Sequence, residues 1–198
     1  MARICVFCAS SEQIAPTYLE LAAQVGTAIA ARGHDLVSGG GRVSMMGAVA
    51  AAVRAGGRHT LGVIPEALLA MEVADTDADE LVVTADMRER KGRMDAAADA
   101  FLTLPGGLGT LEELSEVWVA ATLGLHTKPV VVLDPTGLYA PLHDLVRGLE
   151  AEGFLRRAAA EALVWTTSVD AALDAIEDGL TSRTRITPSA DDVIESTP

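Results

Sequence analysis

Two short stretches hold most of the residues able to do chemistry, "MRERKGRM" at 87–94 and "LPGGLGTLEE" at 104–113. The first packs Arg88, Arg90, Lys91 and Arg93 into six positions of a chain that has only 15 basic residues. Such runs are ordinarily solvated helix faces. This one follows directly on a strand-like segment in a protein short of positive charge, which suits a site for an anion. On a helix Arg90 and Lys91 do not point the same way as Arg88 and Arg93, so two of the four can face that site. The second stretch supplies three glycines, a threonine and two glutamates. Glycine lets backbone N–H groups approach an anion closely, and the start of the following helix adds a favourable dipole. Thr110 and Glu113 have the N-cap and N3 spacing of a capping box. A carboxylate there would also lie within a few ångströms of a bound sugar phosphate, so capping and catalysis can coexist in Glu113.

Two further turns, "CASS" and "SGGG", also end strand-like segments in small residues. None of the glycine turns is followed by the Lys-Ser/Thr of a nucleotide triphosphate loop. The first strand lacks the G-x-G-x-x-G of a dinucleotide site, and "GGLGTL" comes late and lacks the third glycine. The anion site is therefore of another kind.

These turns need a scaffold, and the chain supplies one. Short runs rich in Val, Ile and Leu ("RICVFC", "HDLVSGG", "HTLGVIP", "ELVVTA", "AFLTLPGG", "KPVVVLD", "ALVWTT") alternate with helix-like segments. Strands so continuously apolar are covered on both faces. The β-α alternation predicts a single α/β domain, a doubly wound parallel sheet over residues 1–180. In such a sheet, ligands bind beyond the carboxyl ends of the strands, where the three turns fall. From about Thr181 the periodicity is lost, and 181–198 is expected to be a flexible tail.

With 198 residues and 49% apolar content, one sizeable core is expected. A net charge of −13 argues against nucleic-acid polymers and anionic membranes as partners. No apolar run approaches the roughly 20 residues of a membrane span, and the first residues lack a signal-peptide pattern. A cytoplasmic location is the expectation. Cys5 and Cys8 form a C-x-x-C inside a strand, on opposite faces, which suits structural thiols better than a redox pair. His34, His59, His126 and His143 have no metal-ligand spacing, so neither a metal nor a cofactor is expected.

Taken together, "MRERK" and "LPGGLGTLEE" resemble the M-x-x-R-K and P-G-G-x-G-T-x-x-E pair of the LOG family, the cytokinin-activating phosphoribohydrolases once labelled "lysine decarboxylase-like". "CVFCASS", "SGGGRVSMMG", "GVIP" and "LGLHTKPVVVLD" fall in the matching order, so the resemblance spans roughly residues 3 to 155. It implies a Rossmann-like fold and a homodimer with active sites near the subunit interface. The implied reaction hydrolyses a cytokinin nucleoside 5′-monophosphate, or AMP, to free base and ribose 5-phosphate. By position, Arg90 and Glu113 match the catalytic pair. Met87, Lys91, Gly106, Gly107, Leu108, Gly109 and Thr110 match substrate-binding positions, and Glu72 an acidic ligand contact. Arg88 stands where a histidine is common.

Two other functions fit less of the sequence. A non-catalytic nucleotide carrier on the same fold would keep the glycine loop but needs no Arg–Glu pair. An amino-acid decarboxylase normally needs a lysine that forms a Schiff base with pyridoxal phosphate, and neither Lys91 nor Lys128 lies in such a context.

Overall fold

The computed structural model describes residues 1–69, 74–182 and 186. Seven strands form one parallel sheet: β1 (Arg3–Phe7), β2 (Asp35–Ser38), β3 (Thr60–Pro65), β4 (Glu80–Thr84), β5 (Ala100–Thr103), β6 (Val130–Leu133) and β7 (Leu163–Thr166). Their order across the sheet is β4-β3-β2-β1-β5-β6-β7. The chain winds outward from β1 in one direction, then returns to β5 on its other side and winds outward again. The reversal between β1 and β5 is the switch point at which doubly wound folds open a crevice.

The helices are α1 (Pro16–Ala31), α2 (Ser44–Ala55), α3 (Glu66–Leu69), α4 (Met87–Ala97), α5 (Leu108–Thr122), α6 (Ala140–Ala151), α7 (Arg157–Glu161) and α8 (Val169–Ser182). Alternating side chains of β1 enter different cores, because successive residues of a strand point to opposite faces. Ile4, Val6 and, one residue past the strand, Cys8 join α1, α2 and α8, while Cys5 and Phe7 join α4 and α5. The two cysteines are thus free, buried and on opposite faces, as their spacing predicts.

Three local features differ from the sequence reading. The short helices α3 and α7 have no counterpart in it, since four or five residues are too few to display a 3.6-residue period. Helix α8 runs through Ser182, so Thr181 and Ser182 of the expected tail are helical. Of the remaining tail only Ile186 is among the described residues, and Glu72 lies outside them. Helix α5 starts at Leu108 with Gly107 as its N-cap, three residues before Thr110, the N-cap that the sequence suggests.

Candidate functional site

That early start removes the expected capping box. Thr110 lies inside the first turn of α5, buried, and Glu113 is one turn further along. A box of that type forms instead at α4. There Asp86 Oδ1 accepts from the Glu89 N–H at 2.8 Å, and Glu89 Oε2 accepts from the Ala85 N–H at 3.0 Å. Helix α5 begins with no side-chain cap and no acidic residue in its first turn. The N–H groups of Leu108, Gly109 and Thr110 precede the first i→i−4 bond, from Leu111 to Gly107, at 3.1 Å. Three donors and the positive end of the helix dipole are therefore left for an anion.

Released from capping, Glu113 turns toward α4. Arg90 Nη1 donates to Glu113 Oε1 at 2.9 Å, and Arg90 Nε donates to the Val63 carbonyl at 3.0 Å. The two side chains are 8% and 11% exposed, so this pair is largely withdrawn from water. Glu113 Oε2 has no hydrogen-bond partner among the described residues. Burial pushes the Glu113 carboxyl above its ordinary range, and Arg90, which favours the charged form, offsets this only in part.

The guanidinium has room because residue 39 is a glycine. A Cβ there would lie 1.8 Å from Arg90 Nη2. Gly106 is constrained in the same way, since a Cβ would lie 2.1 Å from Thr110 Oγ1. Glycine in "SGGG" therefore makes space for Arg90, a packing role that a turn-based reading of that motif does not reveal.

The turns after β1, β2 and β5 close around one cavity of about 680 Å³. Its walls include Ser10, Ser11, Gly39, Met46, Arg90 and Glu113, and the whole run from Pro105 to Thr110. That volume suits a small-molecule ligand. Of the residues expected from the sequence, the structure brings together Met87, Arg90, Gly106, Gly107, Leu108, Gly109, Thr110 and Glu113 on this cavity. Lys91 is not among them. It reaches Glu112 and Glu116 on α5, and these partners raise its pKa. Arg88 and Arg93 are exposed, so of the four basic residues only Arg90 faces the cavity, one rather than the two expected.

Several wall residues escaped the sequence reading. Tyr18, Met45, Met46 and Ile64 are ordinary apolar helix or strand residues by pattern, and only the closure of the sheet edge gives them a cavity to line. Ser44 is another. It holds a positive φ of 55° at the start of α2 while its Oγ donates to the Ser11 carbonyl at 2.6 Å, tying the β1 and β2 turns together.

Comparison with known proteins bears on the family and the fold. A family model described as "Possible lysine decarboxylase" matches residues 46–176. The chain is 51% identical over 176 residues to the cytokinin riboside 5′-monophosphate phosphoribohydrolase of Mycobacterium marinum, covering 89% of this chain and 94% of that protein. It is 49% identical over 153 residues to the Arabidopsis thaliana protein of that name, LOG7, covering 77% and 70%. Among solved structures it is similar to a molybdenum cofactor binding protein from Rippkaea orientalis, with a TM-score of 0.69, 22% identity and coverage of 89% and 96%. The molybdenum cofactor carrier protein from Chlamydomonas reinhardtii gives 0.68, 21%, and coverage of 91% and 98%. At those identities the solved structures speak for the fold alone, a Rossmann-like one. The family match and the identities to the phosphoribohydrolases decide membership: the chain belongs to the LOG family.

Proposed function

We infer that this chain hydrolyses the N-glycosidic bond of a cytokinin riboside 5′-monophosphate, releasing free base and ribose 5-phosphate. The observation that carries the reading is the buried Arg90–Glu113 pair beside an uncapped helix N-terminus, on one cavity. The 5′-phosphate is held by the loop 106–110 and the first N–H groups of α5, whose dipole favours its charge. Binding energy from this remote group fixes the ribose against Glu113. Cleavage builds positive charge on the ribose ring, as in other glycosidic bond hydrolyses. The ionised Glu113 stabilises that charge, and its free Oε2 is placed to orient and deprotonate the attacking water. Arg90, held at two of its nitrogens, fixes the carboxylate and reaches the substrate through the remaining one.

A carrier needs no buried carboxylate with a free oxygen at its ligand cavity. A Schiff-base mechanism needs a lysine there, whereas Lys91 is paired with Glu112 and Glu116, and Lys128 with Asp95. The working form in this reading is a cytoplasmic homodimer. Its support is a second, apolar cavity of about 380 Å³ between α4 and α5, walled by Phe7, Met94, Phe101 and Val117. At its mouth Val119, Leu123 and Leu125 are exposed, the last by 72%, a surface suited to a second copy of the chain.

Product analysis tests the reaction. Incubation with isopentenyladenosine monophosphate, AMP and a 2′-deoxy analogue is expected to yield free base and the sugar phosphate from the first. Release of no base from any of the three would overturn the assignment. For the dimer, Leu125→Glu should shift the species seen by sedimentation toward monomer. An unchanged dimer, or a wild-type monomer, would remove that part of the reading.

A further inference from the structure

We propose that Tyr139 is a positioning residue for the phosphate-binding loop, acting from outside the cavity through the backbone of residues 104–106. This deepens the proposed function and rests on the phosphate lying at that loop. Tyr139 is 5% exposed and is not part of the cavity wall. Its hydroxyl lies 3.1 Å from the Leu104 carbonyl and 3.3 Å from the Gly106 carbonyl, one proton shared between two acceptors of the loop. The carbonyl between them, on Pro105, accepts from the Ala9 N–H at 3.3 Å. Three consecutive carbonyls of the loop are thus engaged by the protein itself.

The consequence follows from peptide geometry. In a trans peptide the C=O of one residue and the N–H of the next point in opposite directions, and the described chain has no cis bonds. With the Gly106 carbonyl turned toward buried Tyr139, the Gly107 N–H must point the other way, to the side on which Gly106 and Gly107 line the cavity. Glycine at 106 and 107 has little resistance of its own to a peptide flip. The phenol supplies what the glycines lack.

Tyr139 is itself held from the end of β6. Asp134 Oδ2 accepts from the Tyr139 N–H at 2.7 Å, and Oδ1 accepts from the Leu138 N–H at 3.0 Å and from Thr136 Oγ1 at 3.1 Å. A chain of contacts therefore runs from Asp134 on one strand end, through Tyr139, to the loop that leaves β5. Burial pushes the phenol up to about 12, so it remains a donor throughout the neutral range.

Tyr139→Phe keeps the ring in the core and removes only the donor. The expected result is a rise of about threefold to tenfold in KM for isopentenyladenosine monophosphate, with kcat within about twofold of wild type. The inhibition constant of ribose 5-phosphate should rise by a similar factor. An unchanged KM and inhibition constant would overturn the proposal, as would a fall in kcat at unchanged KM. Asp134→Asn, which weakens the support of Tyr139 without touching it, should move KM in the same direction by a smaller factor. If Tyr139→Phe does not fold, an unchanged KM in Asp134→Asn overturns the proposal by itself. Calorimetry with inorganic phosphate reads the loop without any turnover. Weaker phosphate binding by Tyr139→Phe would support the positioning role even if wild type released no base, a result that would sink the catalytic reading alone.

Discussion

Two ion-paired groups bridge α4 and α5, and they begin one residue apart in the sequence. Arg90 meets Glu113 with side chains 8% and 11% exposed, while Lys91 meets Glu112 and Glu116, which are 52% and 53% exposed. The pairings are of like chemistry, cation on one helix and carboxylate on the next. Water makes them different. The outer group is screened by solvent, so each of its contacts is worth about 0–1 kcal/mol. The inner pair has lost most of its hydration, and Glu113 is left with a raised pKa and one free oxygen on a cavity. Its charged form is costly to hold and therefore ready to respond when positive charge develops nearby. Burial, rather than the identity of the charges, separates the pair proposed for catalysis from a helix staple.

The comparison breaks most decisively at Glu113. Glu113→Gln should reduce base release by about a thousandfold, measured as product formed per enzyme at saturating nucleotide. Its melting temperature should not fall. Because the folded carboxyl binds its proton more tightly than the unfolded one, its stabilising contribution is fully present below the unfolded pKa. That contribution is lost as pH rises through the folded value. At neutral pH the neutral glutamine escapes this cost, and any stability gap between the two proteins should close on acidification. Near-normal turnover in the glutamine variant would put both ion groups in the same structural class.

Gly39→Ala probes the inner pair without altering a charge. The new Cβ would lie 1.8 Å from Arg90 Nη2, so the guanidinium must move. A displacement near 1 Å can cost about a hundredfold in rate, and that is the loss expected in kcat/KM. An alanine variant with wild-type kinetics would show that Arg90 does not need this seat.

The pH profile sharpens the contrast further. Activity that depends on ionised Glu113 should fall by about tenfold per pH unit on the acid side. The limb should begin above the ordinary glutamate value of 4.5. A limb at or below that value would mean that the carboxyl titrates as an exposed one does.

The smallest effect belongs to the outer group. Lys91→Ala should change kcat/KM by less than about threefold, with a stability loss of about 1 kcal/mol or less that vanishes in 1 M salt. The family motif assigns Lys91 a nucleotide contact, so the assay decides between the two roles. A large rise in KM would return Lys91 to the substrate.

Much of this site was legible because its residues are local and periodic. The alternation of apolar strands with helices gave the doubly wound sheet, and the turns after β1, β2 and β5 were recognisable by their small residues. What the linear pattern misplaced was the start of α5. Thr110 and Glu113 have the spacing of a capping box, but Gly107 accepts the extended N-cap conformation and lets the helix begin at Leu108. Leu108 itself, an apolar residue left 84% exposed, gives no local hint that it opens a helix. Tyr139 carries no signal either, since its partners are loop carbonyls more than thirty residues away.

The sequence by itself determined the inventory: a parallel α/β sheet, three small-residue turns on one edge, and an Arg and a Glu from two motifs of one family. These follow from hydrophobic periodicity, backbone freedom and side-chain chemistry, all of which are properties of short segments. Only the tertiary structure decided which charges lose their water, which glycine makes room for Arg90, and that Lys91 turns away from the cavity toward Glu112 and Glu116. Those outcomes depend on how segments distant in the chain exclude solvent from one another, and no single segment contains that information.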